Sequence, residues 1–359
     1  MQSAEIRAVG DLAGAAAAGT GNLVRDVHAA IARRAFAAAG PLAVPARVLH
    51  DGISAAVYGS VRVALGALPR GAGVALSRAG GPALTDSPRG SLALAVLNGA
   101  IGDALERDGS ALALPMTLRH RGAPVDPDAP DVPGATPRIA VFVHGLGETD
   151  AAWRLRADAD HPGYGECLRR DLGYTPLELR YNSGRRISAN GRDLARLLDR
   201  LVAGWTVPVT EIVLVGHSMG GLVARSASHQ GGGWTEVLRY VVCLGAPHRG
   251  APLAKGAHLL GWALQQAPET RPFAGVVEGR SAGIKDLRHG LDVPSSPHAR
   301  LTFVAATLSG REGDPLGDLL VRYPSASAAG SDGRHLGGVT HFHLLNHPAV
   351  YRQLRDWLA

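Results

Sequence analysis

The stretch Glu211-Ile-Val-Leu-Val-Gly216-His217-Ser218-Met219-Gly220-Gly221-Leu222 decides how this chain is read. Four apolar residues, Ile212 to Val215, run into G-x-S-x-G, and an apolar, small-residue run of helical character follows. That is a strand, a tight turn and a helix in immediate succession, the context that separates a strand-to-helix serine turn from a chance pentapeptide. Side chains two places either side of the serine would collide in so tight a turn, which accounts for Gly216 and Gly220. The turn lifts the Ser218 hydroxyl above the edge of a sheet, and the helix N-terminus that starts there favours developing negative charge. Ser218 is the candidate nucleophile.

Working outward, strands and helices alternate on both sides of this element. The pattern predicts strands over Ile139–Val143, Pro176–Tyr181, Glu211–Val215, Tyr240–Leu244 and Leu301–Ala306. It predicts helices over Tyr164–Leu172, Ile187–Val202, Met219–His229, Pro252–Gln266 and Ala349–Leu358. Alternation of this kind signals βα units around a mainly parallel sheet. The expected fold class is therefore α/β, a three-layer sandwich. A further strand is expected over Leu112–Leu118. Residues 122–137 carry five prolines and read as a loop.

Residues 1–110 have a different texture, rich in Ala, Gly, Val and Leu. Apolar residues recur at helical spacing, as in Leu23, Val27, Ala30 and Ile31, in Val57, Val61, Ala64, Leu65 and Leu68, and in Leu92, Val96, Leu97, Ile101 and Leu105. Three or four amphipathic helices are expected, broken at Gly40-Pro41, at Pro69 and at Gly80-Gly81-Pro82. The organisation read from this is a helical N-terminal segment, 1–110, and a catalytic domain, 111–359, with a cap insertion at about 251–298. The apolar part of the insertion holds Leu259, Leu260, Trp262, Ala263 and Leu264.

The totals narrow the function classes. The 359 residues are 46% hydrophobic and 19% charged, with 37 basic against 31 acidic residues and a net charge of +6. Basic residues are scattered, as in Arg169-Arg170-Asp171, so nucleic acid is not an expected partner. Cys167 and Cys243 make no disulfide framework and no metal-type spacing, although a single bridge between them stays open. Cys243, in an apolar run, reads as a small core residue. Glu5 and Asp11 stand where the basic region of a secretory signal would be. No uncharged apolar stretch of 18 residues occurs. A cytoplasmic protein is expected, with contact to a membrane or lipid surface through the N-terminal helices or the cap left open. The only two lysines, Lys255 and Lys285, against abundant Arg and Ala suit a GC-rich bacterial genome.

A serine that attacks a carbonyl needs two amide N–H groups aimed at the oxyanion. Met219, directly after the serine, offers one. Leu146, in the His144-Gly145-Leu146-Gly147 loop after the first strong strand, offers the other, and His144 reads as a brace of that loop. Chain order then requires an acid and a histidine beyond Ser218. Asp314 and Asp318 follow the strand at 301–306, and His341 and His343 precede the last helix.

Five stretches, Val141-Phe-Val-His-Gly-Leu-Gly147, Val215-Gly-His-Ser-Met-Gly-Gly-Leu-Val-Ala-Arg225, Leu244-Gly-Ala-Pro-His-Arg-Gly-Ala-Pro-Leu-Ala-Lys255, Gly317-Asp-Leu-Leu-Val321 and Thr340–Leu358, resemble the α/β-hydrolase-fold serine lipases and esterases. The likeness is strongest to a bacterial lipase-like group related to GPI inositol-deacylase-type hydrolases. It spans residues 139–359 and leaves 1–110 uncovered. In that family the acid precedes two apolar residues and a valine, which implies Asp318, with Asp314 the alternative. The histidine heads H-x-x-L-L, which implies His341, with His343 the alternative. His248 is implied as part of a pocket wall. The activity implied is hydrolysis of a small-molecule or lipid carboxylic ester through a Ser-His-Asp triad and an acyl-enzyme, with no metal or organic cofactor. The alternatives are an acyltransferase or amidase using the same triad, and a non-catalytic lipid-binding protein.

Overall fold

The computed structural model describes residues 1–39, 44–79, 81–158, 162–251, 280–291, 296–312, 314, 317–327 and 332–359. They fall into two compact units. Among the described residues the first takes in 1–91, 108–112 and 280, and the second 92–107, 113–251 and 281–359.

The first unit is built on two long helices, α1 (Ser3–Ala39) and α2 (Val44–Leu76), packed against each other. The break expected at Pro69 is not made, because Pro69 lies inside α2. A proline there removes the N–H that would bond the carbonyl four residues back and costs about 3 kcal/mol. Packing outweighs that loss. A side chain at Gly10 would run into the Pro69 carbonyl, so the two backbones are in close contact at this point. Arg70 also donates to the Gly66 carbonyl at 2.9 Å, beside the interrupted turn. The helix α3 (Pro88–Arg107) completes the N-terminal run, and most of it belongs to the second unit.

The second unit carries a single eight-stranded sheet. Its strands are β1 (Thr117–His120), β2 (Ala123–Val125), β3 (Arg138–Val143), β4 (Tyr174–Arg180), β5 (Glu211–His217), β6 (Leu238–Leu244), β7 (Arg300–Thr307) and β8 (Asp332–Gly337). The order across the sheet is β2-β1-β4-β3-β5-β6-β7-β8. β1 pairs antiparallel with both neighbours, and every pair from β4 to β8 is parallel. The helices are α4 (Tyr164–Leu172), α5 (Ile187–Gly204), α6 (Met219–Gln230), α7 (Ala282–Asp286), α8 (Tyr323–Ala326) and α9 (Pro348–Leu358).

Both faces of the sheet are covered, and strand alternation shows how. Ile139, Val141, Leu177, Leu179, Ile212, Leu214, Val241 and Cys243 pack with Leu194, Leu198 and Leu201 of α5 and Leu222 and Val223 of α6. Ala140, Phe142, Val213, Val215, Val242, Leu244 and Val304 face the other way, onto Tyr164 and Leu168 of α4 and Val350, Leu354 and Leu358 of α9. Strands buried on both faces need no polar side, which is why they read as near-continuous apolar runs. Each fully buried leucine of these helices contributes roughly 2 kcal/mol of burial free energy. The three-layer α/β arrangement expected from the alternation is the one observed.

Four expectations are corrected. The strand expected over Leu112–Leu118 begins only at Thr117: the Leu114 N–H is taken by Asn98 Oδ1 at 2.9 Å, and Pro115 has no N–H to give. The proline-rich loop contains β2, where Pro124 is tolerated because β2 is an edge strand. Strand β8 was not expected, since Asp332-Gly-Arg-His-Leu-Gly337 is a mostly polar, exposed edge without an apolar pattern. The fourth is the break at Pro69. The helix expected over Pro252–Gln266 lies outside the described residues, as does most of the expected cap. Cys167 and Cys243 are free and buried. Among the described residues no helix is long and apolar enough to cross a membrane.

Candidate active site

The carboxyl ends of the parallel strands converge on Ser218, which sits between β5 and α6 with φ 52° and ψ −125°. A non-glycine residue in such a conformation stores on the order of 1–3 kcal/mol of strain and persists only where its surroundings dictate it. Here they do. A Cβ at Gly216 would strike the backbone of Gly220 and Gly221, and one at Gly220 would strike the carbonyls of Val143 and His144. The Ser218 N–H donates to the Leu244 carbonyl at 2.8 Å, which ties the turn to the end of β6. Met219 is the first residue of α6, so its N–H is among those the helix itself leaves unbonded.

The loop after β3 runs alongside. A Cβ on Gly145 would lie 3.1 Å from Ser218 Cβ, so the His144–Glu148 loop passes next to the serine and brings Leu146 with it. Several bonds hold that loop. Tyr181 donates its hydroxyl to the His144 carbonyl at 2.8 Å and stacks on the His144 ring at 4.4 Å between centroids. Gly147 N–H donates to Ser183 Oγ at 2.9 Å, and Gly145 N–H donates to Glu148 Oε2 at 2.7 Å. Burial pushes the His144 imidazole below its ordinary range, so the ring is neutral and structural.

Asp318 lies in a turn after β7, buried completely. Its Oδ1 accepts from Leu320 N–H at 3.0 Å and Val321 N–H at 2.7 Å. The turn holds Leu319 at φ 86°, a second strained residue beside the site. The Oδ2 atom of Asp318 is 2.7 Å from His341 Nδ1, and the His341 N–H donates to the Asp318 carbonyl at 3.0 Å. A carboxylate can only accept, so Nδ1 carries the proton and the lone pair is at Nε2. That Nε2 atom is buried and makes no hydrogen bond among the described residues. The His341 ring lies over the residue after β6: a Cβ on Gly245 would be 3.2 Å from its Cε1 and Nδ1.

The other candidates bond elsewhere. His343 Nδ1 is 2.7 Å from Thr340 Oγ1, within the short 3-10 turn His341–Leu344. Asp314 Oδ2 accepts from Ser309 N–H at 3.0 Å. His248 is buried, its Nδ1 accepting from Arg225 at 2.8 Å; burial first and the guanidinium second push it down to about 3. His347 caps α9 by accepting from Ala349 N–H.

Two residues with a role in this geometry escaped the sequence reading. His217 is buried completely, with its Nδ1 3.1 Å from Glu148 Oε2 and its Nε2 3.3 Å from the His341 carbonyl. Neither has a signal of its own in the sequence, because Glu148 meets His217 across 69 residues of chain.

Residues 139–272 match the family model described as the PGAP1-like alpha/beta domain. The match covers the sheet from β3 to β6, the serine turn and α6. The matched region is α/β, a mainly parallel sheet with helices on both faces. Among solved structures, the chain is similar to Bacillus licheniformis lipase BlEst2 in mature form (21% identity, 68% of this chain and 98% of that one, TM-score 0.48). It is also similar to a lipase-esterase related protein from Clostridium acetobutylicum (14%, 67% and 99%, TM-score 0.42) and to the metagenomic carboxyl esterase MGS0156 (17%, 79% and 97%, TM-score 0.41). A comparison with curated protein sequences finds no match.

Proposed function

We propose that this protein is a serine carboxylic-ester hydrolase, an esterase or lipase, in which Ser218, His341 and Asp318 form the catalytic triad. The observation that carries the reading is the 2.7 Å bond from His341 Nδ1 to Asp318 Oδ2, which leaves Nε2 buried and unbonded beside the strained serine turn. In the first half-reaction Ser218 Oγ attacks the ester carbonyl carbon while His341 Nε2 takes its proton. The carbonyl electron pair moves to oxygen, where the N–H groups of Met219 and Leu146 receive the charge. Collapse of the tetrahedral intermediate breaks the bond to the alcohol oxygen, and His341 returns the proton to it. Water then attacks the acyl-enzyme with His341 again as base, giving the acid and free Ser218. Asp318 keeps Nδ1 protonated and stabilises the imidazolium formed in each step.

The test is hydrolysis of p-nitrophenyl esters from acetate to palmitate by wild type and Ser218→Ala. Loss of activity in the variant supports the reading, and the chain-length optimum chooses between esterase and lipase. Equal rates in both proteins refute it.

A further inference from the structure

One ion pair lies directly behind the reacting groups and touches each segment that carries them. Glu148 stands at the end of the loop that holds Leu146. Its Oε2 accepts the Gly145 N–H at 2.7 Å, and both of its oxygens lie 3.1 Å from His217 Nδ1. On the far side of the ring, His217 Nε2 is 3.3 Å from the backbone carbonyl of His341. The chain neighbours make the point. Gly145 precedes the Leu146 amide, His217 precedes Ser218, and the His341 carbonyl belongs to the residue whose imidazole is the base.

The hydrogen-bond chemistry of this arrangement has one solution. A carboxylate and a carbonyl oxygen are both acceptors, so each ring nitrogen of His217 must carry a proton. Only the imidazolium makes both bonds. Resting on the triad reading above, we propose that Glu148 and His217 are positioning residues, a clamp that holds the oxyanion loop, the serine turn and the His341 backbone in mutual register through both N–H groups of His217.

The surroundings favour that charged form. Burial by itself would push the His217 imidazolium down. The Glu148 charge and hydrogen bond, the His341 carbonyl and the more distant Asp318 carboxylate outweigh it and raise His217 above its ordinary range. Glu148 is correspondingly held down to about 2: burial alone would raise it, and His217, the Gly145 N–H and His144 overcome this. The rings packed on His217 are Trp153, His341 and Phe342. The sign follows. Glu148 is ionised throughout the working range, so the clamp is complete below the raised value of His217. It fails as pH rises through the raised value of His217, when one ring N–H is lost and either Glu148 or the His341 carbonyl is released. A clamp of this kind gives kcat an alkaline limb that belongs to neither Ser218 nor His341.

The experiment is the kcat and KM pH profile of full-length wild type and Glu148→Gln, with the His217 imidazole followed by NMR in both proteins. Glu148→Gln keeps shape and an acceptor oxygen but removes the charge. The expected result is a kcat lowered by between about 10- and 100-fold, the scale for misplaced reacting groups. KM should stay within about 3-fold, the smaller response of interactions common to ground and transition state. The alkaline limb should move to lower pH, together with the NMR titration of His217. A purely structural pair would lower the unfolding temperature and leave the limb where it is. Wild-type kcat and an unmoved limb in Glu148→Gln overturn the clamp, as does a His217 that titrates identically in both proteins. Should Glu148→Gln not fold, His217→Asn, which has no titrating ring, must remove the limb. The triad reading is checked separately by phosphonylation of Ser218 with a fluorophosphonate. If Ser218 does not react in wild type, the triad fails, and the NMR titration still decides whether Glu148 holds His217 charged.

Discussion

Replacing Asp318 by Asn tests the tautomer argument with almost no change of shape. Asp318 Oδ1 accepts two backbone N–H groups, at 3.0 and 2.7 Å, and the amide oxygen of Asn can keep both bonds. The amide nitrogen then occupies the position of Oδ2, 2.7 Å from His341 Nδ1. It is a donor, so it bonds only an Nδ1 that has lost its proton, and the imidazole proton moves to Nε2. A protonated Nε2 in a neutral ring cannot take the Ser218 proton. The cost of the wrong tautomer with geometry intact is about 10⁴-fold in kcat, or about 5 kcal/mol of transition-state stabilisation. The assay is initial-rate hydrolysis of p-nitrophenyl butyrate, with thermal unfolding measured in parallel to show that Asp318→Asn folds. Two controls define the specificity. His343→Ala removes a ring bonded to Thr340, and Asp314→Asn changes a loop cap, so both should keep kcat within about 3-fold, as surface and cap changes away from the reacting groups do. A kcat for Asp318→Asn within 10-fold of wild type would refute the reasoning, and so would an equal loss in Asp314→Asn.

Two further expectations concern stability. Burial first of all raises the Glu178 carboxyl from 4.5 to about 7, with Asp150 adding to the shift and Arg154 and Arg119 opposing it. A raised folded-state value means a stability contribution that is whole below the unfolded value and is lost as pH rises through the folded one. Glu178→Gln should therefore match wild type near pH 4 and exceed it at pH 8 by up to about 3 kcal/mol, and urea midpoints that coincide at both pH values count against it. Gly220→Ala places a methyl where the Val143 and His144 carbonyls already are. It should destabilise the protein by about 3 kcal/mol or more, and an unchanged urea midpoint would show that the serine turn has room to spare.

The architecture is largely legible in the sequence, because the signals that carry it are local. The apolar runs at 139–143, 211–215 and 301–306 mark strands buried on both faces, and the period of residues 187–202 marks a helix with one buried side. G-x-S-x-G marks its own turn, since the steric demand on Gly216 and Gly220 lies within a few residues of Ser218. Where local rules met a competing contact they failed. Pro69 continues a helix that packing holds together, Pro124 joins a sheet at its edge, and polar β8 is a strand because β7 offers it a ladder.

By itself, then, the sequence determined a mainly parallel α/β sheet with a tight strand-to-helix serine turn, while chain order together with the family resemblance pointed to Asp318, with Asp314 the alternative, and to His341, with His343 the alternative. The sheet and the turn follow from steric demand and hydrophobic periodicity along a short length of chain. Only the tertiary structure decided which carboxylate meets which imidazole, and that the ring beside the serine is tied to Glu148. Hydrogen bonds such as Asp318–His341 and Glu148–His217 join residues 23 and 69 positions apart, and their geometry is set by where the strand ends bring the loops together.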